Sequence, residues 1–124
     1  KSSGKMLILP GTGSAKRQFI SSNRVAKLMT TLLFKDKVQK NNFNLCENEN
    51  FEISIEELVD KISKVYNYSN FIFDRTSSDG QLEKSASNEK IKEELPEFFE
   101  EEDSDFDDSL RCTVSWFLGN HIRI

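Results

Sequence analysis

Several classes of protein are excluded by what this chain has little of. It holds two cysteines, Cys46 and Cys112. That is too few for a disulfide framework, and they form no CxxC pair. A reducing compartment is expected, and with it a cytoplasmic location. His121 is the single histidine and has no cluster of candidate ligands around it in the sequence, so neither a metal site nor histidine base chemistry is expected. No apolar run approaches the ~18 residues of a membrane span. No phosphate-binding loop of the GxxxxGK[ST] type occurs. Gly11 and Gly13 make only a GxG, without the third glycine of a dinucleotide fingerprint. The chain opens on Lys1 and shows no secretory leader, as expected of a piece from inside a longer protein.

What is present fits one small domain, residues 1–124. The mass is 14.3 kDa, the apolar fraction 36% and the charged fraction 31%, so the core is small and leans on ten phenylalanines. The net charge of −4 argues against a nucleic-acid binder. That average hides an asymmetry. Residues 1–40 carry nine Lys or Arg against one acid, Asp36, whereas residues 93–108 carry ten acids and no base. The basic end is suited to phosphates, or else its lysines are simply solvated. The acidic stretch 97–105 is expected to be a solvated loop, with a protein-docking or cation-binding surface as the alternative. It lacks the alternating oxygen ligands and central glycine of an EF-hand.

Periodicity gives a coarse map. Met6 to Leu9 is a short apolar run expected as a buried strand ending at Pro10. Val25, Leu28, Met29, Leu32 and Leu33 recur at helical spacing over about 23–35. Phe43, Leu45 and Cys46 suggest a short strand. Ser54 followed by Glu57 is a capping box, with Ile53 and Leu58 as its staple, and the helix it opens should end near Asn67. Phe71 to Phe73 is a strand, and Ser78-Asp79-Gly80 a turn. Asn88 is expected to cap a short helix that stops at Pro96. A last helix spans about 106–120, with Leu110, Val114, Phe117 and Leu118 inward and Trp116 as a packing anchor. Cys112, inside it, packs rather than reacts. Interspersed helices and few short strands make this an α+β fold, a small mixed α/β domain.

Chemistry-bearing candidates are sparse. Arg17 follows the glycine turn, and its five-donor fork suits a diphosphate; an ion pair with an acid is the alternative. Lys84 lies four residues after Gly80, at the end of a loop that can close over a phosphate or ribose, or merely be solvated. Pro10 and Asp79 flank the same turns as further candidates. No tyrosine is followed four positions later by lysine, since Tyr66 leads to Asn70 and Tyr68 to Ile72. No catalytic, cofactor-binding or metal-binding residue is assigned.

These blocks, taken together, carry a resemblance. Gly11-Thr12-Gly13 with Arg17-Gln18-Phe19-Ile20, Phe73-Asp74 with Ser78-Asp79-Gly80-Gln81, and Lys84 with Ala86-Ser87-Asn88 follow in order. Leu95-Pro96-Glu97-Phe98, Thr113 to Phe117 and Asn120 complete the series. Over nearly its whole length the chain resembles the C-terminal, substrate-binding part of the GDP-L-fucose synthases, within the extended short-chain dehydrogenase/reductase superfamily. The resemblance implies a parent whose N-terminal Rossmann half binds NADP and carries the catalytic groups, and which is usually a homodimer. The piece in hand would then contribute one wall of a GDP-sugar cleft and be inactive alone. Arg17 would grip the diphosphate, and Lys84 would sit at the nucleotide end. The chain departs from the family at Pro10, where tryptophan is common, at Ser21 and Arg24, and in a short acidic insertion after Pro96. A degenerate binding or scaffold domain, and another nucleotide-sugar epimerase or reductase, are the alternatives.

Overall fold

The computed structural model describes residues 4–40, 42–47, 51–100 and 106–121. They form a small mixed α/β fold with ten short elements. Strand β1 is Leu7–Pro10, β2 Lys16–Gln18, β3 Glu52–Ser54, β4 Phe71–Asp74 and β5 Glu83–Lys84. Helix α1 is Ser22–Leu33, α2 Ile55–Tyr66, α3 Glu89–Glu94, α4 Pro96–Glu100 and α5 Phe106–His121. The residues gather into two compact units, one within spans 1–17, 53–84 and 110–124, the other within 18–52 and 85–109.

In the first unit, β1 and β4 pair in parallel from Leu7 opposite Phe71 to Pro10 opposite Asp74. A second sheet has the order β3-β2-β5. Helix α2 starts where the sequence says it should. The Ser54 hydroxyl accepts from the Glu57 amide at 3.1 Å, and the Glu57 carboxylate accepts from the Ser54 amide at 2.7 Å. Two orphan donors of the first turn are thereby satisfied. The helix ends on Asn67, which adopts the left-handed conformation at φ 52°.

The β1 run is apolar yet not buried: Met6 is 55% and Ile8 61% exposed. An apolar run identifies a strand, but burial also needs a covering layer. Leu9, Val59, Ile62, Tyr66 and Phe71 line an open apolar groove of about 670 Å³ in this unit. The inward face expected of the last helix is likewise only partly realised. Val114 is buried, whereas Phe117 and Leu118 are exposed and Trp116 is 62% exposed.

The second unit has the clearest core. Leu28, Ile91 and Leu95 are fully buried, with Ile20, Leu32, Phe43, Leu45, Phe98 and Phe99 packed against them. Leu28 is the one α1 apolar residue to reach full burial; Met29 and Leu33, on the same periodic pattern, stay exposed. Phe43 to Cys46 form no strand, and Phe43 and Leu45 pack against this core. Asn88 does not cap α3 with its side chain. Its amide is buried and donates to the carbonyls of Cys46 and Glu47. Arg24 is buried too, with Nε 2.9 Å from Glu47 Oε2 and its guanidinium over the Phe98 ring. Residues 97–100, expected as loop, belong to α4, whose first position is Pro96, a place where the missing amide costs nothing. The rest of the acidic stretch, 101–105, lies outside the described residues.

Candidate functional site

The site is built on two turns of the first unit and the strands that leave them. After β1 the chain turns through Gly11, Thr12 and Gly13 and enters β2. After β4 it turns through Ser78, Asp79 and Gly80 and enters β5. Both strands are too short and too polar to register as strands by pattern. They pair in parallel, Lys16 opposite Glu83 and Arg17 opposite Lys84. The Lys16 amide donates to the Leu82 carbonyl at 2.7 Å and extends the ladder back toward the turn.

Directly opposed residues of a ladder share a face. One face of this ladder therefore sets a base against an acid. The other sets Arg17 against Lys84, two cations that sequence reasoning treated separately. Like charges opposite one another destabilise a strand pair. Among the described residues neither has a carboxylate in ion-pair contact. Instead the Arg17 guanidinium donates to backbone carbonyls, to Gln81 at 2.8 Å and Lys16 at 2.6 Å, with a longer contact to Leu82 at 3.5 Å. Carbonyls orient the fork without neutralising it. Lys84 is exposed and Arg17 half-buried. A dianionic group between them would relieve the repulsion and accept charge-assisted hydrogen bonds from both.

Asp79 lies in the turn before β5. Its Oδ1 accepts from the amides of Thr12 at 2.6 Å and Gly13 at 3.3 Å, and its Oδ2 from the hydroxyls of Thr12 at 2.5 Å and Ser14 at 3.5 Å. The Thr12 hydroxyl, then the Thr12 and Gly13 amides, hold the Asp79 carboxyl below its ordinary value of 3.8. Sequence reasoning had Asp79 as a candidate but missed Thr12, its partner 67 residues away. Pro10 ends β1 opposite Asp74 and is exposed.

The glycine turn does not fit a dinucleotide pyrophosphate. Its amides already surround an internal carboxylate, and a Cβ at Gly11 would run into Asp79 Oδ1. An incoming phosphate would meet that negative charge rather than open donors. Among the described residues no group of three or more His, Cys, Asp or Glu side chains is placed to hold a metal ion, and no helix is long and apolar enough to cross a membrane.

Comparison with known proteins gives this arrangement a context. No family model matches the chain. A probable GDP-L-fucose synthase of Drosophila melanogaster is 29% identical over 118 residues, 94% of this chain and 36% of that protein. A GDP-L-fucose synthase of Dictyostelium discoideum is 30% identical over 116 residues, 93% of this chain and 35% of that protein. A GDP-L-fucose synthetase from Naegleria fowleri, solved with NADP bound, superposes with a TM-score of 0.81 at 30% identity over 94% of this chain and 35% of its own. In sequence and fold the chain is thus similar to one segment of the GDP-L-fucose synthases. The chain spans about a third of the length of the GDP-L-fucose synthases it is similar to.

Proposed function

We propose that this chain is the GDP-sugar-binding part of a GDP-L-fucose synthase. The parent enzyme would convert GDP-4-keto-6-deoxy-D-mannose to GDP-L-fucose in the cytoplasm, as a homodimer. It would epimerise C3 and C5 and then reduce C4 with hydride from NADPH. The observation that carries this reading is the Arg17–Lys84 cross-strand pair, two cations held opposite each other with no carboxylate among the described residues in ion-pair contact with either. In this role Arg17 donates its fork to the diphosphate, and Lys84 contacts the same group or the adjoining nucleotide. The NADPH that supplies the hydride would be held by the rest of the parent chain. That fits the glycine turn here, which is filled by Asp79.

The test is turnover. The full-length protein, given GDP-4-keto-6-deoxy-D-mannose and NADPH, is expected to consume NADPH and release GDP-L-fucose. The 124-residue piece under the same conditions is expected to do neither. A full-length protein that binds the GDP-sugar without consuming NADPH would point to a binding or scaffold role instead. Turnover by the piece alone would overturn the division of labour.

A further inference from the structure

We infer that Asp79 is a positioning residue for the Arg17–Lys84 pair, fastening the turn that leads into β5 onto the turn that leads into β2. The inference rests on the reading of that pair as a phosphate grip.

Four donors converge on one carboxylate, two amides and two hydroxyls, all from residues 12–14. The chain from Asp79 to Lys84 is short, and each part of it has a task. Gln81 and Leu82 offer the carbonyls that orient the Arg17 guanidinium, Leu82 also accepts the Lys16 amide, and Lys84 stands opposite Arg17. Among the described residues Asp79 is the only side chain of 78–82 with a hydrogen bond to the glycine turn; Ser78 turns its hydroxyl back to the Gly80 amide. The ladder between β2 and β5 is only two residue pairs long, and one of those pairs is electrostatically unfavourable. So short a ladder does not hold its own register. The carboxylate clamp at its head does, and it places the Gln81 and Leu82 carbonyls where the fork can reach them.

Asp79 itself carries a negative charge near a site meant for phosphate, which would oppose binding if charge were its contribution. Positioning and charge therefore predict opposite results for the two simplest variants. Asp79→Asn keeps an oxygen for the Thr12 and Gly13 amides, and the Thr12 hydroxyl can turn to accept from the new amide. Asp79→Ala removes every acceptor.

The experiment measures GDP affinity by calorimetry on the full chain as wild type and as Asp79→Ala, Asp79→Asn, Arg17→Ala, Arg17→Ala/Lys84→Ala and the triple Asp79→Ala/Arg17→Ala/Lys84→Ala, with Asp60→Asn as an exposed control. Asp79→Ala is expected to weaken GDP at least fivefold, Asp79→Asn to stay within twofold of wild type, and the triple variant to bind no more weakly than Arg17→Ala/Lys84→Ala. Hydrogen exchange at the Lys16 amide, measured without GDP, is expected to quicken at least tenfold in Asp79→Ala and to stay near wild type in Asp79→Asn. Asp79→Ala binding GDP as wild type does, or Asp79→Asn losing as much as Asp79→Ala, overturns the inference. So does a triple variant weaker than Arg17→Ala/Lys84→Ala. If Asp79→Ala does not fold, Asp79→Ser is read by the same two measurements. Failure of wild type to bind GDP, or an Arg17→Ala that binds normally, would instead remove the phosphate reading itself; the Lys16 exchange would still report on the clamp.

Discussion

Replacing Gly13 by alanine should cost far more than replacing Gly80, although both glycines sit at positive φ. Gly13 has φ +84° and Gly80 φ +68°. A side chain in this left-handed region costs about 1–2 kcal/mol in the folded state. Lost freedom of the unfolded chain gives back about 0.4–1 kcal/mol. Gly80→Ala is left there, because nothing lies within 4 Å of its new Cβ, so the net cost is about 0–1.6 kcal/mol. A Cβ at Gly13 would lie 2.9 Å from the Phe73 ring and 3.0 Å from Glu56 Cβ. Gly13 is buried, and the Phe73 ring packs edge-on against Phe71, so relief requires a shift of packed groups. Overpacking of this kind adds about 1–3 kcal/mol. Gly13→Ala should therefore lose about 1–4.6 kcal/mol in all, always about 1–3 kcal/mol more than Gly80→Ala. With a urea slope of about 2 kcal/mol per molar, the midpoint falls by about 0.5–2.3 M for Gly13→Ala and by no more than about 0.8 M for Gly80→Ala, a difference of about 0.5–1.5 M between the two. Equal shifts would mean that backbone conformation alone governs both sites. A neutral Gly13→Ala would refute the close approach of Phe73.

Other expectations follow from the same physics. Leu28→Ala empties a fully buried site in the second unit and should cost about 2–5 kcal/mol, a large share of a small domain's stability, read from thermal unfolding. Ser54→Ala removes the acceptor for the Glu57 amide and should cost about 1 kcal/mol in the same experiment. Acid should destabilise the first unit. Hydrogen bonds from Ser54 lower the Glu57 carboxyl, the Thr76 and Ser77 hydroxyls lower Asp74, and Thr12 lowers Asp79, from ordinary values of 4.5, 3.8 and 3.8. A carboxyl whose folded value is depressed stabilises the fold above its unfolded value and loses that contribution as pH falls through the folded one. Stability should thus be level at neutral pH and decline from about pH 4.5 downward. The triple variant Glu57→Gln/Asp74→Asn/Asp79→Asn should decline less steeply, and an unchanged slope would contradict these assignments.

Much of the fold can be read from local chemistry. The capping box at Ser54 and Glu57 lies within one turn, and the structure repeats it bond for bond. Phe71–Asp74 and the last helix are likewise local signals. What escaped is non-local. Strands β2 and β5 are three and two residues long and mostly charged, so no periodicity marks them. Only their pairing makes them strands, and that pairing joins segments 67 positions apart. Arg17 and Lys84 could each be singled out from sequence, but their opposition could not. The exposed Met6, Ile8 and Trp116 make a related point: apolar character predicts which residues seek cover, not whether cover is at hand. Asn88 fits a cap by residue type, yet it went into the interior because two carbonyls of the 46–47 segment needed a donor.

The central claim is that Arg17 and Lys84 together form an anion grip for a nucleoside diphosphate. The measurement that tests it most directly is a calorimetric GDP titration of the full-length protein and of its Arg17→Ala, Lys84→Ala and double variants at two salt concentrations. Each charge-assisted hydrogen bond lost should cost about 1.5–3 kcal/mol, or roughly 10- to 100-fold in affinity. Binding should also weaken with salt in wild type and much less in the double variant. Full GDP affinity in the double variant, with unchanged salt dependence, would contradict the account.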